Sequence, residues 1–81
     1  MKVPRDLGGD DLAQVLRRYG YEVTRQTGSH LRLTSTLKGS PHDITIPRHA
    51  SLKTGTLSGI LKDIASYLEI DRTALLQALF G

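Results

Sequence analysis

Along this chain the spacing of apolar residues changes period twice, from 3.6 to 2 and back to 3.6, and that order limits the folds open to it. Leu12, Val15, Leu16 and Tyr19 recur at i, i+3, i+4 and i+7, the stripe of a short amphipathic helix. Asp10 and Asp11 stand at its positive end, Arg17 and Arg18 at its negative end, and Gly20 can supply a left-handed stop. A helix is therefore expected over residues 10–19, after a lead-in of residues 1–8. From Tyr21 the pattern alternates, which predicts strands over residues 21–26, 30–34 and 42–47. Thr27, Gly28 and Ser29 form the turn between the first two, and residues 35–41, with Lys38, Gly39, Ser40 and Pro41, read as a loop. In the second strand Leu31 and Leu33 face one way while His30, Arg32 and Thr34 face the other. In the third, His42 shares the phase of Ile44 and Ile46 and is expected to be a partly buried strand-end residue; Pro47, lacking an N–H, closes the strand.

Helical spacing returns in Leu57, Ile60, Leu61, Ile64, Ala65 and Leu68, with Thr54 placed as the cap. Asp71 then caps a last short helix, with Ile70 and Leu75 forming a hydrophobic staple and Leu75, Leu76, Leu79 and Phe80 its apolar face. The expected fold is α+β, in the order α-β-β-β-α with an extra short C-terminal helix. A three-stranded antiparallel sheet carries helices on one face and leaves the other polar and open.

A chain of 81 residues without repeats or linkers makes one domain, residues 1–81, too small for a large metabolic enzyme fold. The absence of cysteine excludes disulfides, thiolate metal centres and a cysteine nucleophile, and fits a reducing compartment. The first residues carry no signal-peptide apolar run and no stretch approaches the roughly 20 apolar residues of a membrane span. A cytoplasmic protein with no membrane partner is expected.

Eleven Lys and Arg against eight Asp and Glu give a net charge of +3, a mild excess whose placement matters more than its sum. Beside the polar positions of the second strand, one surface is expected to collect Arg25, His30, Arg32, Lys38, Arg48, His49 and Lys53, while Asp10, Asp11, Asp63, Glu69 and Asp71 belong to helices. Such a surface suits phosphate. Ser51 to Thr56 adds hydroxyls, Lys53 and Gly55 before a helix N-terminus, where free N–H groups and the dipole favour an anion; ordinary capping by Thr54 is the plainer explanation.

His30 follows a tight turn and projects with Arg32 from the open face, where an incoming phosphodiester would meet both. Imidazole gives and takes protons near neutral pH, although a lone strand histidine is more often structural or merely exposed. His49 is a loop residue whose neighbours Arg48 and Lys53 allow an RNA contact. The three histidines show no close ligand spacing, so no metal site is expected. There is no P-loop, nucleophile elbow or dinucleotide fingerprint, and Gly8-Gly9 lacks the preceding strand that such loops need, so no small-molecule cofactor is expected. Capping explains the adjacent Asp10 and Asp11 without an acid–base role.

Three segments in register carry a resemblance: Arg-Gln-x-Gly-Ser-His-Leu-Arg-Leu at residues 25–33, His-Asp-Ile-Thr-Ile-Pro-Arg-His at 42–49, and Leu-Lys-x-Gly-Thr-Leu-x-x-Ile-Leu at 52–61. Together they resemble the HicA (YcfA-like) toxin family across nearly the whole chain. The resemblance implies a fold similar to a double-stranded-RNA-binding domain, endoribonuclease activity on mRNA as a toxin of a toxin–antitoxin system, and inhibition by a HicB antitoxin. His30 corresponds to the family's catalytic histidine in the Gly-Ser-His motif. The final helix and the loop at residues 38–41 depart from the pattern, although longer members also carry such a helix.

With the resemblance, the expected reaction is metal-independent attack of the RNA 2′-hydroxyl on the adjacent phosphate, with His30 as base or acid. RNA contacts are expected from Arg25, Ser29, Arg32, Arg48, His49, Lys53, Thr54 and Thr56, Arg25 and Arg32 offsetting phosphorane charge. His49 is the candidate second acid if the fold brings it near His30. The alternatives are a non-catalytic RNA-binding module of the same fold and a protein-interaction domain whose basic face docks an acidic partner. Salt-dependent RNA binding and His30-dependent product formation discriminate the three.

Overall fold

The structure, a computed structural model, describes Pro4 and residues 6–81; the part of the expected lead-in at residues 1–3 and 5 lies outside the described residues. Helix α1 spans Gly9–Leu16 and tightens into a 3-10 turn at Arg17–Tyr19. Gly20 ends it in the left-handed conformation, φ 79°, where a side chain would be strained. Gly8 is the N-cap, and its N–H donates to the Asp11 carboxylate at 3.0 Å, so one of the two acids ties down the helix start. Tyr21, expected to open the first strand, instead precedes it and is fully buried.

Strands β1 (Glu22–Thr27), β2 (His30–Ser35) and β3 (His42–Pro47) form an antiparallel sheet in the order β1-β2-β3. The turn between β1 and β2 narrows to Gly28 and Ser29, with Gly28 at φ 52°. β2 runs one residue further than its alternation predicts because Ser35 is buried, its hydroxyl donating to the Tyr19 carbonyl at 2.7 Å and accepting from the Leu37 N–H at 3.2 Å. β1 is an edge strand with all six residues exposed, and its register on β2 shifts between Val23 and Arg25. This bulge puts Thr24 beside Arg25 on the open face, where the Thr24 hydroxyl meets that of Thr34 at 3.1 Å.

Helix α2 spans Thr54–Leu68 and α3 spans Arg72–Phe80. The capping role expected of Thr54 is corrected: Lys53 occupies the N-cap without a side-chain bond, and Thr54 is the first helical residue. Asp71 caps α3 as expected, accepting from the Ala74 N–H at 2.7 Å, and Leu75 of the staple is fully buried. Leu31, Leu33, Ile44 and Ile46 of the sheet join Leu12, Leu16, Leu57, Leu61, Ile64 and Leu75 in one core on the helix side. Ile60, expected within the stripe, is only partly buried at its edge. No helix among the described residues is long and apolar enough to cross a membrane.

Topology gathers the β1–β2 turn, the end of β3 and the N-termini of α1 and α2 at one end of the sheet. The Arg48 N–H donates to the Ser29 carbonyl at 2.6 Å, the Gly9 N–H to that of His49 at 3.0 Å and the Leu52 N–H to that of Leu7 at 2.7 Å. A Cβ at Gly9 would collide with the Pro47 carbonyl, so the close approach of α1 to β3 depends on glycine there.

Candidate functional site

The open face of the sheet holds a shallow basin of about 530 Å³ lined by Arg25, Thr27, His30, Arg32 and Thr45. Register builds it: His30 pairs with Thr27 on one side and Pro47 on the other, and Arg32 pairs with Arg25 and Thr45. Alternation on β2 sends Leu31 and Leu33 to the core and leaves His30 and Arg32 exposed. Two arginines directly opposite each other on one face repel, a cost an isolated sheet has no reason to carry and an anion between them would relieve. The basin thus offers two guanidiniums, hydroxyls from Thr27 and Thr45 and one accessible imidazole, a set matched to a phosphodiester.

The other expected residues divide. Ser29 sits in the turn beside His30, and its carbonyl anchors the Arg48 backbone. The Arg48 side chain is turned away from the basin into a groove on the helix side, where it makes a bidentate pair with Asp10, Nε to Oδ1 at 3.0 Å and Nη2 to Oδ2 at 3.1 Å. His49 is exposed two residues beyond Pro47, the partner of His30. Lys53 and Thr56 are exposed at the start of α2, and Thr54 lines a separate depression with Leu7, Ser58 and Arg72. Lys38, expected on the same cationic surface, is at the other end of the sheet in the β2–β3 loop, paired with Glu69 at 3.2 Å. Two acids nevertheless meet these cations. Asp10 neutralises Arg48, and Asp43 stands on the open face 4.0 Å from Arg32, accepting from the Thr34 hydroxyl at 2.5 Å.

His42 shows what alternation alone could not. It is partly buried as expected, with Nδ1 2.6 Å from the Tyr21 hydroxyl and Nε2 3.3 Å from Asp63, and its ring stacks on Tyr67 at 4.6 Å. A neutral imidazole with its proton on Nε2 satisfies both polar contacts. Burial pushes the Tyr21 phenol pKa up, with Tyr67 and Asp63 adding to the effect. Five residue steps of β3 separate this cluster from Pro47 beside His30, about 17 Å along the strand, so the cluster is no part of the basin. Among the described residues, no group of three histidines or acids is placed to hold a metal ion.

Fold and site together define a small α+β domain that presents an exposed histidine among cations on the uncovered face of its sheet. The family model for the HicA toxin of bacterial toxin–antitoxin systems matches residues 9–65, from the start of α1 into α2. The chain belongs to the HicA toxin family, and membership implies an antitoxin partner. Comparison with curated proteins and with solved structures found no match.

Proposed function

We propose that the chain is an endoribonuclease that cleaves mRNA and so stops translation, with the basin around His30 as its cleavage site. The observation that carries this reading is the meeting of His30 with the face-to-face pair Arg25 and Arg32 on one exposed surface. His30 takes the proton of a ribose 2′-hydroxyl as that oxygen attacks the adjacent phosphorus. Arg25 and Arg32 offset the charge that builds on the non-bridging oxygens. The P–O5′ bond breaks, leaving a 2′,3′-cyclic phosphate and a free 5′-hydroxyl. His49, at the same end of the sheet, is the candidate donor of the proton to the leaving oxygen. Lys53 and Thr56, before and within the first turn of α2, are placed to hold a neighbouring phosphate. The chemistry needs no metal and takes place in the cytoplasm, where mRNA is found.

An open face has no lid of its own, so control falls to a protein that covers it, in this family a HicB-type antitoxin, with an acidic surface complementary to the arginines. The mechanism makes the 2′-hydroxyl of the cleaved nucleotide indispensable. An oligoribonucleotide with a single 2′-deoxy substitution at its cleavage position is expected to stay intact there while other positions are cut. Cleavage at the deoxy position would rule out 2′-hydroxyl attack.

A further inference from the structure

The open face carries, beside Arg32, a group that an anion-binding surface should avoid. Asp43 on β3 lies diagonally across from Arg32, since Arg32 pairs with Thr45 and Thr34 pairs with Asp43. Its carboxylate is held in place: Oδ1 accepts from the Thr34 hydroxyl at 2.5 Å, and that hydroxyl lies 3.1 Å from the hydroxyl of Thr24. The Arg32 carbonyl, 3.3 Å from the Thr24 hydroxyl, is the alternative acceptor for its single proton. A chain of hydroxyls thus runs from the bulge of β1 across β2 to β3 and ends on an acid whose Oδ2 faces Arg32 at 4.0 Å.

We propose that Asp43 is a positioning residue that holds the Arg32 guanidinium over the basin, trading RNA affinity for cleavage rate. This rests on the reading of the basin as the cleavage site. Arg32 is a long side chain with rotamer freedom, and Arg25 directly opposite repels it. Without a counter-charge, its lowest-energy positions lie out in solvent. Asp43 attracts the guanidinium through charge at 4.0 Å, beyond hydrogen-bond distance, and so leaves its donors for a phosphate, which pre-arranges a transition-state contact before substrate arrives. The same carboxylate repels the phosphates of a strand lying across the face, so it weakens binding. The two effects have opposite signs, and that separates this role from a purely structural one.

The test is a kinetic cycle on a short labelled oligoribonucleotide with wild type, Asp43→Asn, Arg32→Ala, the double variant and His30→Ala, each checked for folding by circular dichroism. Asp43→Asn is expected to lower kcat about three- to fivefold, the scale of one half-exposed ion pair, and to lower KM about twofold. In the Arg32→Ala background the same change should leave kcat alone while still lowering KM, because the rate effect passes through Arg32. A His30-dependent wild type whose kcat is unchanged by Asp43→Asn, or falls as much without Arg32 as with it, overturns this inference alone. A wild type that leaves the RNA intact, or that His30→Ala matches, overturns the cleavage reading and this inference with it.

Discussion

His30 and His42 occupy the same kind of strand at opposite ends of the sheet, and their surroundings separate what each can do. His30 is exposed and shares the basin with two arginines, whereas both ring nitrogens of His42 are engaged, by Tyr21 and Asp63. The Tyr21 contact has a pH consequence whose sign is fixed. Its phenol pKa is raised by burial first and by Tyr67 and Asp63 next, so above the ordinary tyrosine value of about 10 the unfolded chain loses a proton that the folded one keeps. Stability contributed by this group is complete below that pH and declines as pH climbs toward the folded value. Urea melts across pH 8 to 11 should show a steeper alkaline loss in wild type than in Tyr21→Phe; parallel curves would mean that the phenol is not the cause. The partial burial of His42 was legible from its phase with Ile44 and Ile46. Its partners were not, because Tyr21 lies 21 residues before it and Asp63 and Tyr67 are on α2, so that only the tertiary fold brings them together. The pairing of Arg48 was hidden for the same reason: its bidentate partner Asp10 is 38 residues away, and only the docking of α1 on the end of β3 brings the two together.

At the scale of elements, α2 decides which face of the sheet remains free. Leu61 is fully buried at its centre, so Leu61→Ala should cost roughly 2–5 kcal/mol and lower Tm by about 10 °C or more in a domain of this size. A loss under about 1 kcal/mol by chemical denaturation would show that α2 does not pack in this register. The six elements were legible because each carries its period or its cap: Leu31 and Leu33 against His30 and Arg32 in β2, Leu57 to Leu68 in α2, Asp71 before α3. Their edges were less so. Ser35 continues β2 because a buried hydroxyl found two backbone partners, and Thr54 does not cap α2 because Lys53 takes that place. The bulge at Thr24 leaves no mark in the alternation of an edge strand whose residues are all exposed, yet it sets Arg25 opposite Arg32.

Over the whole molecule a net charge of +3 resolves into committed and free cations. Lys38 and Arg48 are paired with Glu69 and Asp10, while Arg25 lines the basin and Lys53 is exposed beside α2. RNA affinity should therefore fall with salt in proportion to a few contacts, with a log–log slope of about −0.7 for each on a single strand. Arg25→Ala should flatten the slope by about one contact, and Arg48→Ala should leave it unchanged; the reverse order would place the interface on the helix side of the sheet. The central claim is that the basin around His30 cuts RNA by proton transfer from its own side chains. Its most direct test is to incubate wild type and His30→Ala with labelled RNA in EDTA and to melt both proteins alongside. The account predicts cleavage by wild type under chelation and none by His30→Ala, whose Tm should match wild type because an exposed side chain contributes within about 0.5 kcal/mol. Cleavage by His30→Ala at the wild-type rate, or wild-type cleavage that stops in EDTA and returns with Mg²⁺, would contradict it.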